Sequence, residues 1–145
     1  MQGIATNLDY LRQIVDEPRF AQARLSTRFL DDFTFRPSVI EVLEPGTYTS
    51  VQDYPGRTGY WDIGVPPSGP MDDYAFRLAN RLVGNDAGAA GLEATLVGPT
   101  LRFHCDAVVA LTGGVSPATL DGEPVPFWRA VPVKAGQVLA LGRVG

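Results

Sequence analysis

The densest run of chemically capable side chains is Gln52-Asp53-Tyr54-Pro55-Gly56-Arg57-Thr58-Gly59, which sets an amide, a carboxylate, a phenol, a guanidinium and a hydroxyl side by side. Gly64-Val65-Pro66-Pro67-Ser68-Gly69-Pro70 follows it, so backbone order here comes from restricted or specially permitted φ rather than from packing. A loop built this way can hold side chains in fixed positions, and loops on a rigid scaffold are where function concentrates. Asp53 and Arg57 either belong to a site or pair with one another and cap local backbone; both readings stand on the sequence alone. The loop lacks the phosphate-cradling patterns G-x-x-x-x-G-K-[ST] and G-x-G-x-x-G, which argues against nucleotide binding by it.

The inventory of the 145-residue chain narrows the chemistry further. His104 is the single histidine and Cys105 the single cysteine, which excludes an internal disulfide and any metal site or relay that needs two of either. No metal is expected, and both residues read as structural features at a strand end. Chemistry must then run mostly on carboxylates, amides, hydroxyls and Arg. Twelve basic residues face sixteen acids, for a net charge of −4. No cluster of Lys and Arg of the kind that tracks phosphates is present, so nucleic acid is not an expected partner. The apolar run 107–111 is far shorter than the roughly 20 residues of a bilayer span, so no membrane association is expected. The chain opens without a basic n-region and apolar h-region, and a cytoplasmic location is the expectation.

Two segments of different character must carry these residues. Gly3 is the single glycine of residues 1–37, and fifteen of the sixteen glycines lie after them. In the first segment Thr6 reads as a helix N-cap, with Leu8, Leu11 and Val15 at helical spacing up to the stop at Pro18. Residues 21–35 read as short helical turns. From residue 38 the pattern becomes short β-branched runs punctuated by Gly and Pro, the signature of an antiparallel barrel or sandwich. Strands are expected near 39–43, 49–52, 92–96, 100–104, 108–111, 118–120, 131–133 and 138–141. Asp121-Gly122 predicts a tight hairpin turn.

One helix interrupts the strands, capped by Ser68, with Pro70 in its first turn and Gly84-Asn85 at its end. At about 100° per residue, Tyr74, Ala75, Leu78 and Leu82 cluster around Met71, and Phe76, Ala79 and Val83 widen the apolar arc. Asp73, Arg77, Asn80 and Arg81 fall on the polar arc, with Asp73 and Arg77 at ion-pair spacing. Asp72 falls inside the apolar arc, where it either satisfies backbone N–H groups or belongs to a site. Glu93 lies on the sheet face opposite Leu92 and Leu96 and is a site carboxylate if that face lines an interior, or a solvated acid if it is outside. Thr112-Gly113-Gly114 can offer backbone N–H groups to an anion or simply end a strand.

These motifs resemble known families. Gly3-Ile4-Ala5-Thr6-Asn7-Leu8-Asp9-Tyr10-Leu11, with Phe20 and Ser26-Thr27-Arg28-Phe29-Leu30, is similar to the C-terminal tail of biotin carboxylase domains. Residues 39–145 resemble the start of the allophanate hydrolase subunit 2-like domain, which is also the domain of the C-type subunit of 5-oxoprolinase. The resemblance runs through Val51-Gln52-Asp53-Tyr54-Pro55-Gly56-Arg57-Thr58-Gly59, Pro67-Ser68-Gly69-Pro70-Met71-Asp72, Asn80-Arg81-Leu82-Val83-Gly84-Asn85 and Gly91-Leu92-Glu93-Ala94-Thr95-Leu96-Val97-Gly98-Pro99. In this order the two are similar to the urea carboxylase family, the biotin-dependent component of urea amidolyase.

The resemblance implies a mainly β chain with a short helical N-terminal segment and a partial cyclophilin-like β-barrel with one inserted helix. It implies a carboxylase tail at 1–37 and the N-terminal part of a carboxyltransferase domain at 38–145. The implied whole is an ATP- and biotin-dependent ligase that transfers a carboxyl group from carboxybiotin to urea, forming allophanate. Its cofactors would be biotin on a separate carrier domain, and ATP, Mg and bicarbonate at a biotin carboxylase site not contained in this chain. Its partners would be urea or a similar small amide, the biotin carrier domain, the remainder of the carboxyltransferase domain and a subunit 1-like domain. A piece of this kind is expected to be inactive alone. For that chemistry Asp53 and Arg57 are the candidate catalytic residues, with Gln52 and Asp53 on urea nitrogens and Arg57 on the carboxylate. Asp72, Asn80 and Glu93 match family motif positions as candidate substrate-binding residues. The competing expectations are a component like the C-type subunit of 5-oxoprolinase and a non-catalytic β-barrel interaction module.

Overall fold

A computed structural model describes residues 7–145. Thr6 and the Gly3–Ala5 part of the first motif lie outside the described residues. The chain divides into two compact units, with the boundary between Val39 and Ile40.

The first unit is built from aromatic edges and side-chain clasps. Its first helix, α1 (Leu8–Asp16), ends where Pro18 requires, and Glu17 then caps the short α2 (Pro18–Ala21), its carboxylate accepting from Arg19 N–H at 2.6 Å. A single 3-10 turn covers Phe29–Asp32, and Phe29 is the buried residue of that turn. Tyr10 meets Phe33 and Phe35 edge-on, each at 5.5 Å between centroids, and Arg19 lies 5.0 Å over the Phe29 ring. Gln13 on α1 uses both ends of its amide on Arg36: Nε2 donates to the carbonyl at 2.6 Å and Oε1 accepts the N–H at 3.1 Å. Thus α1 holds the extended 36–38 backbone by polar contacts, while Leu8, Leu11 and Val15 on its apolar stripe stay exposed.

The second unit is mainly β. Its strands are β1 (Ile40–Glu44), β2 (Tyr48–Gln52), β3 (Gly91–Thr95), β4 (Thr100–Phe103), β5 (Ala107–Ala110), β6 (Ala118–Leu120), β7 (Glu123–Pro124), β8 (Ala130–Val133) and β9 (Val138–Leu141). Sequence pattern locates all of these within a residue or two except β7, which is too short to carry a period. Among the described residues the strands make antiparallel ladders in one five-stranded sheet, β1-β4-β9-β6-β7, and two pairs, β2-β3 and β5-β8. They do not form a closed barrel. Asp121 and Gly122 join β6 to β7 with φ of 51° and 89°, the positive pair that a tight primed hairpin requires. Inward residues of the neighbouring strands β4, β9 and β6 meet β8 in one core: Leu101 and Phe103 from β4, Leu139 from β9, Ala118 from β6, Val133 from β8, and Val125. No helix among the described residues is long and apolar enough to cross a membrane.

The inserted helix, α3 (Asp73–Leu82), starts later than its composition suggests. Asp72, not Ser68, is its cap: the Asp72 Oδ1 accepts from Ala75 N–H at 2.9 Å. A carboxylate four residues past Ser68 competes better for the first-turn N–H groups because it also complements the positive helix end. The buried face is correspondingly turned from the one the wheel centres on. Ala75 and Asn80 are buried, whereas Met71 is 94% exposed and Tyr74 67%. The Asp73–Arg77 pair forms at 3.0 Å, as its spacing predicts.

Glu41 on β1 ties the edge of the large sheet to its neighbour. Its Oε2 accepts from the Arg102 guanidinium at 3.3 Å and from His104 Nε2 at 3.0 Å. The hydrogen bond from His104, opposed by partial desolvation and aided by the Arg102 charge, holds the Glu41 carboxyl below the ordinary value of 4.5. A carboxyl lowered in the folded state stabilises above its unfolded pKa, and that contribution disappears as pH falls through the lowered folded value. Acid unfolding monitored below pH 4.5 should therefore be shallower in Glu41→Gln than in the wild type, with the two curves parallel near neutrality. Phe103 is 1% exposed at the centre of the core. Phe103→Ala should lower the denaturant-unfolding free energy by about 3–5 kcal/mol, the usual cost of an aromatic cavity.

Candidate functional site

The 52–59 loop leaves β2 and is held in place from three sides. Gln52 closes the β2 ladder opposite Gly91 of β3. Tyr54 N–H donates to the Gly88 carbonyl at 3.4 Å, and the Tyr54 ring carries the Arg77 guanidinium at 4.8 Å from its centroid. Arg57 N–H donates to the Pro67 carbonyl at 2.6 Å, so the 52–59 and 64–70 segments run against each other. Gly56 sits at that contact with φ of 78°, and a Cβ there would run into the Pro67 carbonyl. Glycine is required at this position on both counts.

Between the two segments lies a cleft of about 420 Å³ lined by Tyr48, Gln52, Asp53, Arg57, Ser68 and Ala90 among others. Asp53 and Arg57 do not pair with one another among the described residues. Arg57 instead donates from Nη2 to the Ser68 hydroxyl oxygen at 2.9 Å. Gln52 donates from Nε2 to Ser50 Oγ at 3.0 Å, which leaves its Oε1 as an acceptor. The cleft therefore combines a carboxylate, an amide oxygen, a guanidinium, a hydroxyl and a phenol. It can accept N–H groups and hold a planar anion within one small volume.

The other three candidates stand behind this set. Asp72 caps α3. Glu93, on β3, accepts from Met71 N–H at 2.8 Å and so ties the approach to α3 onto the sheet. Asn80 is 6% exposed and donates from Nδ2 to the carbonyls of Ala89 at 2.8 Å and Ala87 at 3.4 Å, while Asn85 donates to its Oδ1. None of the three lines the 420 Å³ cleft; they shape its supports. Thr112 donates to the Ala75 carbonyl at 2.9 Å, so the Thr112-Gly113-Gly114 turn serves the packing of α3. Ser68 and Tyr48 are the polar lining residues that sequence reasoning does not place in a site. Ser68 stands three residues before Met71 in a Gly/Pro-rich run, where a helix cap is the stronger sequence signal; its φ of 57° is visible only in three dimensions. No group of three or more His, Cys, Asp or Glu among the described residues is placed to hold a metal ion.

Residues 63–145 match the family model described as carboxyltransferase domain, subdomain A and B. The chain belongs to that carboxyltransferase family. It is 52% identical over 142 residues to urea amidolyase of Saccharomyces cerevisiae, a match that takes in 98% of this chain and 8% of the yeast protein. It superposes with a TM-score of 0.80 and 52% identity on the crystal structure of Kluyveromyces lactis urea carboxylase, covering 97% of this chain and 12% of that one. It is 45% identical over 106 residues to the C-type subunit of 5-oxoprolinase from Escherichia coli, covering 72% of this chain and 34% of that protein. The chain thus spans about a tenth of the length of the large relatives that it matches end to end.

The close approach of Gly56 to the Pro67 carbonyl holds the two loop segments together. Gly56→Ala should separate the two loop segments and raise limited proteolysis within 54–70 at least several-fold. Cleavage at the wild-type rate would show that the Gly56–Pro67 approach does not hold the loop.

Proposed function

We propose that the chain is the junction of a biotin-dependent urea carboxylase, with residues 1–37 closing a biotin carboxylase domain and residues 38–145 opening a carboxyltransferase domain. The observation that carries this reading is the extent of similarity. The match to yeast urea amidolyase takes in 98% of the chain, and therefore both units, whereas the match to the 5-oxoprolinase component takes in 72%. On this reading the strands of the second unit begin a cyclophilin-like barrel, and the protein is cytoplasmic. ATP, Mg and bicarbonate act at a carboxylase site elsewhere in the protein, and a subunit 1-like domain and the rest of the carboxyltransferase domain are partners.

The polar set of the cleft fits a carboxylated ureido group and a small amide together. Biotin, borne by a separate carrier domain, supplies the activated carboxyl group. Arg57 holds the planar carboxylate, because a guanidinium presents paired donors that match two oxygens. Gln52 Oε1 and the Asp53 carboxylate would accept from urea N–H groups, and Asp53 would take the proton that the urea nitrogen loses as it gains the carboxyl carbon, returning it to the donor nitrogen whose N–C bond is given up. Asp72, Asn80 and Glu93 act on the substrate site through the backbone they anchor. A role like that of the C-type subunit of 5-oxoprolinase is the second reading, favoured by the 45% identity over 106 residues.

Asp53→Asn and Arg57→Ala in the full-length protein, assayed for urea-dependent allophanate formation, should each lower kcat/KM by roughly 10²-fold or more, as loss of a base or of a charge-stabilising donor does. Wild-type rates in both variants would sink the assignment. Turnover with 5-oxoproline and none with urea would move the protein to the second reading.

A further inference from the structure

We infer that Ser68 is a positioning residue for Arg57 and, through its own O–H, a second donor of an anion subsite in the cleft. The ligand assignment rests on the carboxyl-transfer reading above; the Ser68–Arg57 lock does not. Both residues are exposed and line the same cleft. An exposed Arg side chain has many rotamers of similar energy, so it presents a fixed fork only where something holds its end. Here the backbone of Arg57 is fixed by Pro67, and the guanidinium is fixed by the Ser68 oxygen at 2.9 Å.

The conformation of Ser68 supports the same conclusion. Its φ of 57° is one that a residue with a Cβ seldom adopts, and it lies directly before Gly69 at φ of 89°. In that geometry the hydroxyl meets Arg57 across the loop rather than the first turn of α3. A serine oxygen that accepts from Arg57 still has its own proton to donate. One Arg57 N–H is spent on Ser68, and the remaining N–H groups together with the Ser68 O–H form a convergent donor set. Asp53 and Gln52 supply acceptors in the same cleft. The complementary ligand carries a carboxylate at one end and N–H groups at the other, which is the chemical class of an N-carboxylated urea.

Two variants separate the hydroxyl from the backbone. Ser68→Ala removes the oxygen and keeps the strained φ; Ser68→Gly removes the oxygen and relieves it. In the full-length protein, both should let phenylglyoxal modify Arg57 several-fold faster, read by peptide mass spectrometry. Both should also lower kcat with urea about tenfold while KM changes less, because positioning for developing charge acts on the chemical step. In an Arg57→Lys background, Ser68→Gly should add little further loss, since contacting residues are not additive. Equal Arg57 modification in wild type and Ser68→Gly overturns the lock. A normal kcat in Ser68→Gly beside a lowered one in Ser68→Ala also overturns it, by assigning the effect to backbone strain. Absence of urea turnover in the wild type sinks the substrate reading instead, and the modification rates still decide the lock.

Discussion

Asn80 is 6% exposed, and a buried amide without partners costs about 1–3 kcal/mol, so the polypeptide around it is constrained to supply them. It does so with the carbonyls of Ala87 and Ala89 and the side chain of Asn85, which folds the 85–89 segment back over α3. That segment then offers the Gly88 carbonyl to Tyr54, and Ala90 beyond it forms part of the cleft wall. Gly88 itself has no room for a side chain, since a Cβ would meet the Tyr54 carbonyl. One satisfied amide in the helix thus fixes a loop, and the loop fixes the start of the 52–59 segment.

The remainder of the cleft follows from how few ordinary contacts that segment makes. With so much Gly and Pro it buries little apolar surface, and its order comes from hydrogen bonds across the two runs, Arg57 to Pro67 and Arg57 to Ser68, while Met71 to Glu93 ties the end of the second run to β3. The five-stranded sheet and the β5-β8 pair contribute the rigid core and no cleft-lining group. Phe103, Val133 and Leu139 are all at most 2% exposed, and the core they form is made by strands that do not line the cleft. The polar lining of the cleft and the apolar core are therefore made of different residues, which is the arrangement that lets polar groups be held without burying them.

Much of this architecture is legible in the residue pattern because period-2 alternation and Gly/Pro punctuation are local properties. Strand positions, the Asp121-Gly122 hairpin and the Asp73–Arg77 pair all follow from spacings of a few residues. The start and rotation of α3 do not. Asp72 and Ser68 are both good caps, and Asn80 looks like a surface residue on a helical wheel. What turns it inward is the hydrogen-bonding capacity of the 85–89 loop, which no wheel includes. β7 is likewise invisible, because two residues cannot express a period.

For the cleft, covalent order alone supplies the cast: Gln52, Asp53 and Arg57 in one loop, a single histidine and a single cysteine, and motifs shared with carboxyltransferases. Composition and short motifs are properties of the chain whatever its conformation. Which of the candidates share a volume is settled by the fold. Gln52, Asp53 and Arg57 line it, Asp72, Asn80 and Glu93 support it, and Ser68 joins it from eleven residues beyond Arg57. The physical reason is that hydrogen bonds between segments, and a positive φ at Ser68, depend on distances across the fold that sequence spacing does not encode.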